Sequence, residues 1–293
     1  MDLSITLAQT NPLLGDIGKN LEQHLALARA AAAEGSDLIL FPELSLSGYF
    51  LRDQVFDVAL ALDAPELDPL REASRGISIA VGLPERDPDG RCYNTLAFFE
   101  DGELIGAHRK VHLVSYGMFD ETRDFAAGTT WTPIESRLGR FGPFLCEDLW
   151  HLGGQYTYAL DAVDVLLVAS AGPARGATGP ELDSTRTWRQ LLSTAAMHTQ
   201  AFACWANRVG FEDGVAFGGS SAIYGPDGVC LAELAGLDEG TIGARLTHAE
   251  LHRTRQRTPL LRDLRPWVLE AELAKRSGRE RSSESDAQGE HQG

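Results

Sequence analysis

Leu38-Ile39-Leu40-Phe41-Pro42-Glu43-Leu44 is a short apolar run that ends in a proline and a carboxylate. Such a run suits a strand buried on at least one face, and the proline stops it. Phe141-Gly142-Pro143-Phe144-Leu145-Cys146-Glu147-Asp148 is built the same way, with a thiol and two carboxylates at the end. Working outward, strands are predicted over 5–9, 38–41, 77–82, 95–99, 141–146, 163–169, 201–206, 221–224 and 229–234. Helical spacing fills the gaps. Leu21, Leu25 and Ala28 share one face of a helix that Asn20 would cap and Gly35 would end. Trp188, Leu191, Leu192 and Ala195 share a face of another, capped by Asp183 or Ser184. A third is expected over 67–74. Strands and helices alternate to about residue 246, which is an α/β pattern.

Glu100-Asp101-Gly102 and Gly225-Pro226-Asp227-Gly228 read as hairpin turns. A short peripheral helix is expected over 265–275. From Arg276 onward the chain turns to Ser, Glu, Arg, Gln and Gly, so residues 276–293 are expected to be a disordered tail behind one domain of residues 1–275. The balance of 26 basic and 42 acidic residues gives a net charge of −16, which speaks against a nucleic-acid surface. No stretch reaches the roughly 20 apolar residues that span a bilayer. The N-terminus has no basic segment of the signal-peptide kind and reads as a first strand. Cys92, Cys146, Cys204 and Cys230 lack metal-ligand or redox spacing, so a reduced, cytoplasmic setting is the expectation.

Three side chains stand at strand ends in a chemically meaningful combination: the carboxylate of Glu43, the ammonium of Lys110 and the thiol of Cys146. Amide or nitrile cleavage through a thioester needs a thiol that attacks, a carboxylate that moves protons and a cation that steadies an oxyanion. Each residue alone has a plainer reading. A strand cysteine is most often a small buried apolar residue, Glu43 is as easily a cap, and most lysines are solvated. What favours function at Cys146 is the polar pair Glu147-Asp148 directly after it. His108, His112 and His151 flank these positions and are expected to be structural, with no metal pattern among them.

Phe41-Pro42-Glu43-Leu44-Ser45-Leu46-Ser47-Gly48-Tyr49, Lys110-Val111-His112-Leu113-Val114-Ser115-Tyr116-Gly117-Met118-Phe119-Asp120-Glu121 and Cys146-Glu147-Asp148-Leu149-Trp150 together resemble the nitrilase, or carbon–nitrogen hydrolase, superfamily. Within it the chain looks most like the glutaminase domain of glutamine-dependent NAD synthetase, over about residues 3–246. The resemblance implies a four-layer αββα sandwich, often dimerised through a helical face, with no cofactor. It implies Cys146 as nucleophile, Glu43 as general base and Lys110 as oxyanion stabiliser. Glu121 would be the second glutamate that orients the lysine, and the Glu147 N–H would complete the oxyanion hole. Tyr116, Glu147, Trp150 and Ser170 would contact substrate, with Glu147 holding an ammonium.

The chain also departs from that pattern. Val114-Ser115 stands where the glutaminases usually have Pro-Asn, and Ser170-Ala171-Gly172-Pro173 with Arg175 differs from their Ser-rich loop. No Ser-Gly-Gly-rich pyrophosphate loop is present, so by itself the chain is not expected to make NAD. The expectation is therefore a hydrolase of a small glutamine-like ω-amide, acting as a homodimer or larger homo-oligomer. Alternatives are a glutaminase subunit feeding ammonia to a separate synthetase, a nitrilase or N-carbamoyl amidohydrolase, and a non-enzymatic binding protein on the same fold. The intact set of Glu43, Lys110, Glu121 and Cys146 argues against the last of these.

Overall fold

In the computed structural model, which describes residues 2–177 and 181–289, the apolar runs form two six-stranded sheets. The strands are β1 (Asp2–Gln9), β2 (Leu38–Leu40), β3 (Ser78–Arg86), β4 (Cys92–Glu100), β5 (Glu103–Arg109), β6 (Ile134–Ser136) and β7 (Gly139–Leu145). They continue with β8 (Val165–Ser170), β9 (Phe202–Asn207), β10 (Val209–Glu212), β11 (Val215–Gly218), β12 (Ala222–Tyr224), β13 (Cys230–Glu233) and β14 (Gly240–Thr247). The helices are α1 (Ile17–Ala33), α2 (Val55–Val58), α3 (Asp68–Ala73), α4 (Glu121–Asp124), α5 (Leu152–Leu160), α6 (Asp183–Thr199), α7 (His248–Arg257) and α8 (Pro266–Gly289). The first sheet has the order β14-β1-β2-β3-β4-β5 and the second β13-β12-β9-β8-β7-β6. β10 and β11 form a separate hairpin.

The period-two alternation of the strands explains the layering. In β1 and β8, Leu3, Ile5, Leu7, Val165, Leu167 and Ala169 join a core between the sheets. Leu166 and Val168 point the other way, onto Tyr158 of α5 and Trp188, Leu192 and Ala195 of α6. Ile39, Ile79 and Val81 likewise face Ala28 and Ala31 of α1. The result is an αββα sandwich whose central strands, such as β2, β8 and β9, are buried on both faces, which is why they read as continuous apolar runs.

Several local expectations change. Asp16, not Asn20, caps α1: its Oδ1 accepts from the Lys19 amide at 3.1 Å. Asn20 lies one turn inside and is buried, where its amide group binds the Leu13 amide and the Leu13 and Leu46 carbonyls. Asp183 begins α6, and the Ser184 hydroxyl instead accepts from the Arg175 amide at 3.1 Å. The C-terminal helix is longer than 265–275 and runs to Gly289, through part of the segment that composition marks as tail; residues 290–293 lie outside the described ones. The Asp101-Gly102 turn has positive φ at both residues, as a tight hairpin requires. No helix among the described residues is long and apolar enough to cross a membrane.

One close approach fixes where the first reactive residue sits. β3 runs directly beneath the segment after β2, and a Cβ on Gly82 would lie 2.5 Å from the Leu44 nitrogen and 2.9 Å from the Glu43 carbonyl carbon. Gly82→Ala is therefore expected to push the Glu43 backbone off the sheet. It should cost about 1–3 kcal/mol of stability, read as a lowered midpoint in urea unfolding. An unchanged midpoint would show that the contact is not tight.

Candidate active site

Glu43 follows β2, Lys110 follows β5, Cys146 follows β7, and Ser170 closes β8. Each stands at the carboxyl end of its strand, where α/β sheets open their ligand crevices. At the centre is Lys110, only 1% exposed. Its Nζ donates to Glu43 Oε1 and to Glu121 Oε1, both at 2.7 Å. Both carboxylates are buried as well. Three charges removed from water persist only when paired and fully hydrogen-bonded. Here they are. Glu43 Oε1 also accepts from Asn94 Nδ2 at 2.8 Å, and Oε2 accepts from the Ala171 amide at 2.9 Å. Glu121 Oε2 accepts from the Val114 amide at 2.9 Å, while the Tyr49 hydroxyl donates a short bond to Oε1.

Cys146 is half-buried and begins a 3-10 helix, Cys146–Trp150, directly after β7. Its φ of +46° is unusual for a residue with a side chain, and such strain costs on the order of 1–3 kcal/mol. This elbow turns the thiol out of the sheet. Burial, and then the Glu43 carboxylate, push the thiol well above its ordinary pKa, against the pull of Lys110. Burial also raises Glu43, with the Glu121 charge adding to it and Lys110 opposing. Burial disfavours the Lys110 ammonium, but Glu121 and Glu43 together outweigh that and hold it charged. The resting site is thus a neutral thiol beside a buried cation and two carboxylates.

Asp148 is the second buried carboxylate that joins the sheets. Its oxygens accept from the Val111 and His112 amides at 3.1 and 2.8 Å, from His108 Nε2 at 2.8 Å and from the Leu145 amide at 3.3 Å. Burial would raise its pKa, but the bonds from His108 and His112 outweigh it and hold Asp148 below the ordinary carboxylate range. It clamps the exit of β5 to the Cys146 elbow. His108 and His112 accordingly serve structure.

Around the mouth, Tyr116 is 58% exposed, and its hydroxyl lies 3.1 and 3.0 Å from the two Glu147 oxygens. Trp150 is 44% exposed and stands edge-on to Trp188, which stacks on Trp205. Ser170 is placed differently. It is fully buried, donates to Asn207 Oδ1 at 2.9 Å and accepts from Trp205 Nε1 at 2.6 Å. Its hydroxyl is committed to protein partners beneath the mouth. A cavity of about 410 Å3 is lined by Tyr49, Glu121, Met118 and Arg123 among others.

Tyr49, Asn94 and Asp148 carry parts of the site that the sequence reading assigned no role. For Asn94 a signal was there: an amide side chain inside a strand as uniformly buried as β4 needs a polar partner.

Removing the Lys110 charge tests the trio. Lys110→Met leaves two buried carboxylates without a cation, which should cost about 3–5 kcal/mol near neutral pH. Burial, no longer opposed by Lys110, would then hold the folded-state pKa of Glu43 further above its unfolded value. The lost stability should return as pH falls and grow as pH rises toward that folded value. Urea unfolding of both proteins from pH 5 to pH 8 checks this; a pH-independent difference would contradict it.

Residues 4–256 match the carbon-nitrogen hydrolase family. The chain is 32% identical over 251 residues to a glutamine-dependent NAD(+) synthetase of Rhodobacter capsulatus, covering 85% of this chain and 43% of that protein. It thus spans less than half the length of the NAD synthetases it matches. It is 29% identical to a protein of Pseudomonas protegens called hydrolase in pqqF 5'region, covering 94% of this chain and 93% of that one. Among solved structures, a glutamate-to-glutamine mutant of the amidase from Nesterenkonia sp. AN1 superimposes with a TM-score of 0.77 at 25% identity, covering 92% of this chain and 96% of that one. In that structure the acetamide moiety of fluoroacetamide is added covalently at the active-site cysteine. With its sandwich fold and this family match, the chain belongs to the carbon–nitrogen hydrolases of the nitrilase superfamily.

Proposed function

We propose that the protein is an amidase that releases ammonia from a small ω-amide through a thioester on Cys146. The observation that carries this reading is the buried Lys110 ammonium held between Glu43 and Glu121 beside the Cys146 thiol. A neutral thiol is a poor nucleophile, so its proton must leave as it attacks. Glu43 is the base at hand, and its raised pKa suits a group that both takes and returns a proton near neutrality. Cys146 Sγ bonds to the amide carbon and its proton passes to Glu43. The oxyanion that forms rests between Lys110 Nζ and the Glu147 N–H, one of the unpaired donors in the first turn of its helix. Collapse breaks the C–N bond, and Glu43 returns the proton to the leaving ammonia. Glu43 then draws a proton from water as it adds to the thioester; collapse frees the acid and Cys146 regains its proton.

Glu121 acts through Lys110, fixing its position against Tyr49 and the Val114 amide. Glu147 faces the mouth with Tyr116 and suits a cationic group on the substrate, which favours an amide such as glutamine over a simple nitrile or carbamoyl compound. Trp150 offers an exposed aromatic face beside it, and Ser170 would act on substrate only by positioning Asn207 and Trp205. The similarity to glutamine-dependent NAD(+) synthetases supports a second reading, in which the same chemistry feeds ammonia to an ammonia-using partner. Ammonia release that rises on adding such a synthetase would favour it.

The test is ammonia release from a panel of amides and nitriles, with glutamine and asparagine among them. Lys110→Ala should lose at least about 10²–10³ in rate, as loss of an oxyanion donor does, and Cys146→Ala should be silent. Retention of more than about a tenth of the rate in Lys110→Ala would remove it from the oxyanion role. The acid limb of kcat/KM should fall above the ordinary glutamate value of 4.5, because Glu43 must be ionised to act and its pKa is raised. A limb below that value would exclude Glu43 as the base.

A further inference from the structure

The loop after β8 carries one guanidinium whose surroundings single it out. An exposed arginine on an acidic protein is usually solvated or paired with a carboxylate, as Arg52, Arg123 and Arg186 are here. Arg175 is exposed, yet among the described residues its side chain forms no ion pair and no hydrogen bond. Its backbone is nevertheless pinned. The Arg175 amide donates to Ser184 Oγ at 3.1 Å, and its carbonyl accepts from the Ser184 amide at 3.2 Å. The preceding residue is held by the Ala174 amide donating to the Ala216 carbonyl at 2.8 Å. The side chain then reaches to the mouth. Its Cζ lies 5.5 Å from the centre of the Phe119 ring, and one of its terminal nitrogens lies 3.4 Å from where a Cβ on Gly117 would be.

Gly117 adjoins Tyr116, whose hydroxyl sits on the Glu147 carboxylate. The rim therefore brings a guanidinium, unpaired among the described residues, and a carboxylate together beside Tyr116. Among the described residues of the loop, Gly172 leaves the place open. A Cβ there would press on Trp188 Nε1 at 3.1 Å and on Asn207 at 3.3 Å.

We propose that Arg175 is a specificity-determining residue that binds a carboxylate of the substrate, opposite the cation held by Glu147. A planar guanidinium pairs with a carboxylate through two parallel hydrogen bonds, and a loop anchored at its backbone presents that fork without ordering a segment first. The two opposite charges select an amide that bears both an ammonium and a carboxylate, the chemistry of an amino-acid ω-amide. This rests on the amidase reading given above.

The experiment compares L-glutamine, 4-aminobutanamide, which lacks the carboxylate, and glutaramate, which lacks the ammonium. In wild-type and Arg175→Gln protein, kcat and KM for ammonia release are measured for each. The preference for glutamine over 4-aminobutanamide should fall by about 10- to 100-fold in Arg175→Gln, the worth of a charged hydrogen-bonded pair. The loss should lie in KM and be partly restored by Arg175→Lys. Glu147→Gln should instead reduce the preference for glutamine over glutaramate. A loss of the same factor on all three amides would mark Arg175 as structural, and an unaltered preference would remove it from binding; either overturns the proposal while leaving the amidase reading intact. Wild-type turnover of neutral amides with none of carboxylate-bearing ones would overturn it too. Silence of the wild type on every amide would instead sink the amidase reading, and this inference with it.

Discussion

An ammonium buried between two carboxylates is the constraint on which the rest of this structure depends. Isolated, the Lys110 charge would not survive in a site 1% exposed. Glu43 and Glu121 make it tolerable, and they in turn need donors for their remaining lone pairs. Asn94, Tyr49 and the amides of Val114 and Ala171 supply them. Those donors come from both sheets and from the loops between. Satisfying one buried cation therefore fixes the relative position of segments far apart in the chain.

The same demand shapes reactivity. A third negative charge, from a thiolate, would be costly beside Glu43 and Glu121, so the thiol rests protonated. In the proposed mechanism, proton transfer to Glu43 and bond formation at Cys146 are thereby tied to one event, and the cation that pairs the carboxylates at rest would be in place for an oxyanion afterwards. Asp148 does for the backbone what Lys110 does for the side chains. It locks the strained Cys146 elbow to the segment that delivers Lys110.

The sheets and the placement of the candidate site residues at strand ends are largely legible in the sequence because both obey short-range rules. Strands buried on two faces read as apolar runs, and Glu43 and Cys146 follow such runs, while Lys110 follows the half-exposed β5. Elements with weaker patterns were not legible. β14 alternates Gly, Thr and Arg with apolar residues, and the β10–β11 hairpin is half-exposed and rich in glycine. Asn20 looked like a cap because asparagine favours that place, yet its amide is spent on the loop carbonyls of Leu13 and Leu46. The hydrogen-bond partners of the site escaped for a different reason. Tyr49, Asn94 and Asp148 act on residues 72, 51 and 40 positions away in the chain, and no local spacing reports such pairings. Ser170 shows the limit of reading a contact from a motif, since its hydroxyl is fully engaged below the mouth.

The most direct measurement is acid-quenched intact-protein mass spectrometry, with peptide mapping, on the wild-type protein during turnover of an amide it hydrolyses. The account predicts an adduct equal to the amide less ammonia, located on Cys146 and absent from Cys146→Ala. Turnover without any such adduct, joined to activity that persists in Cys146→Ala, would contradict it.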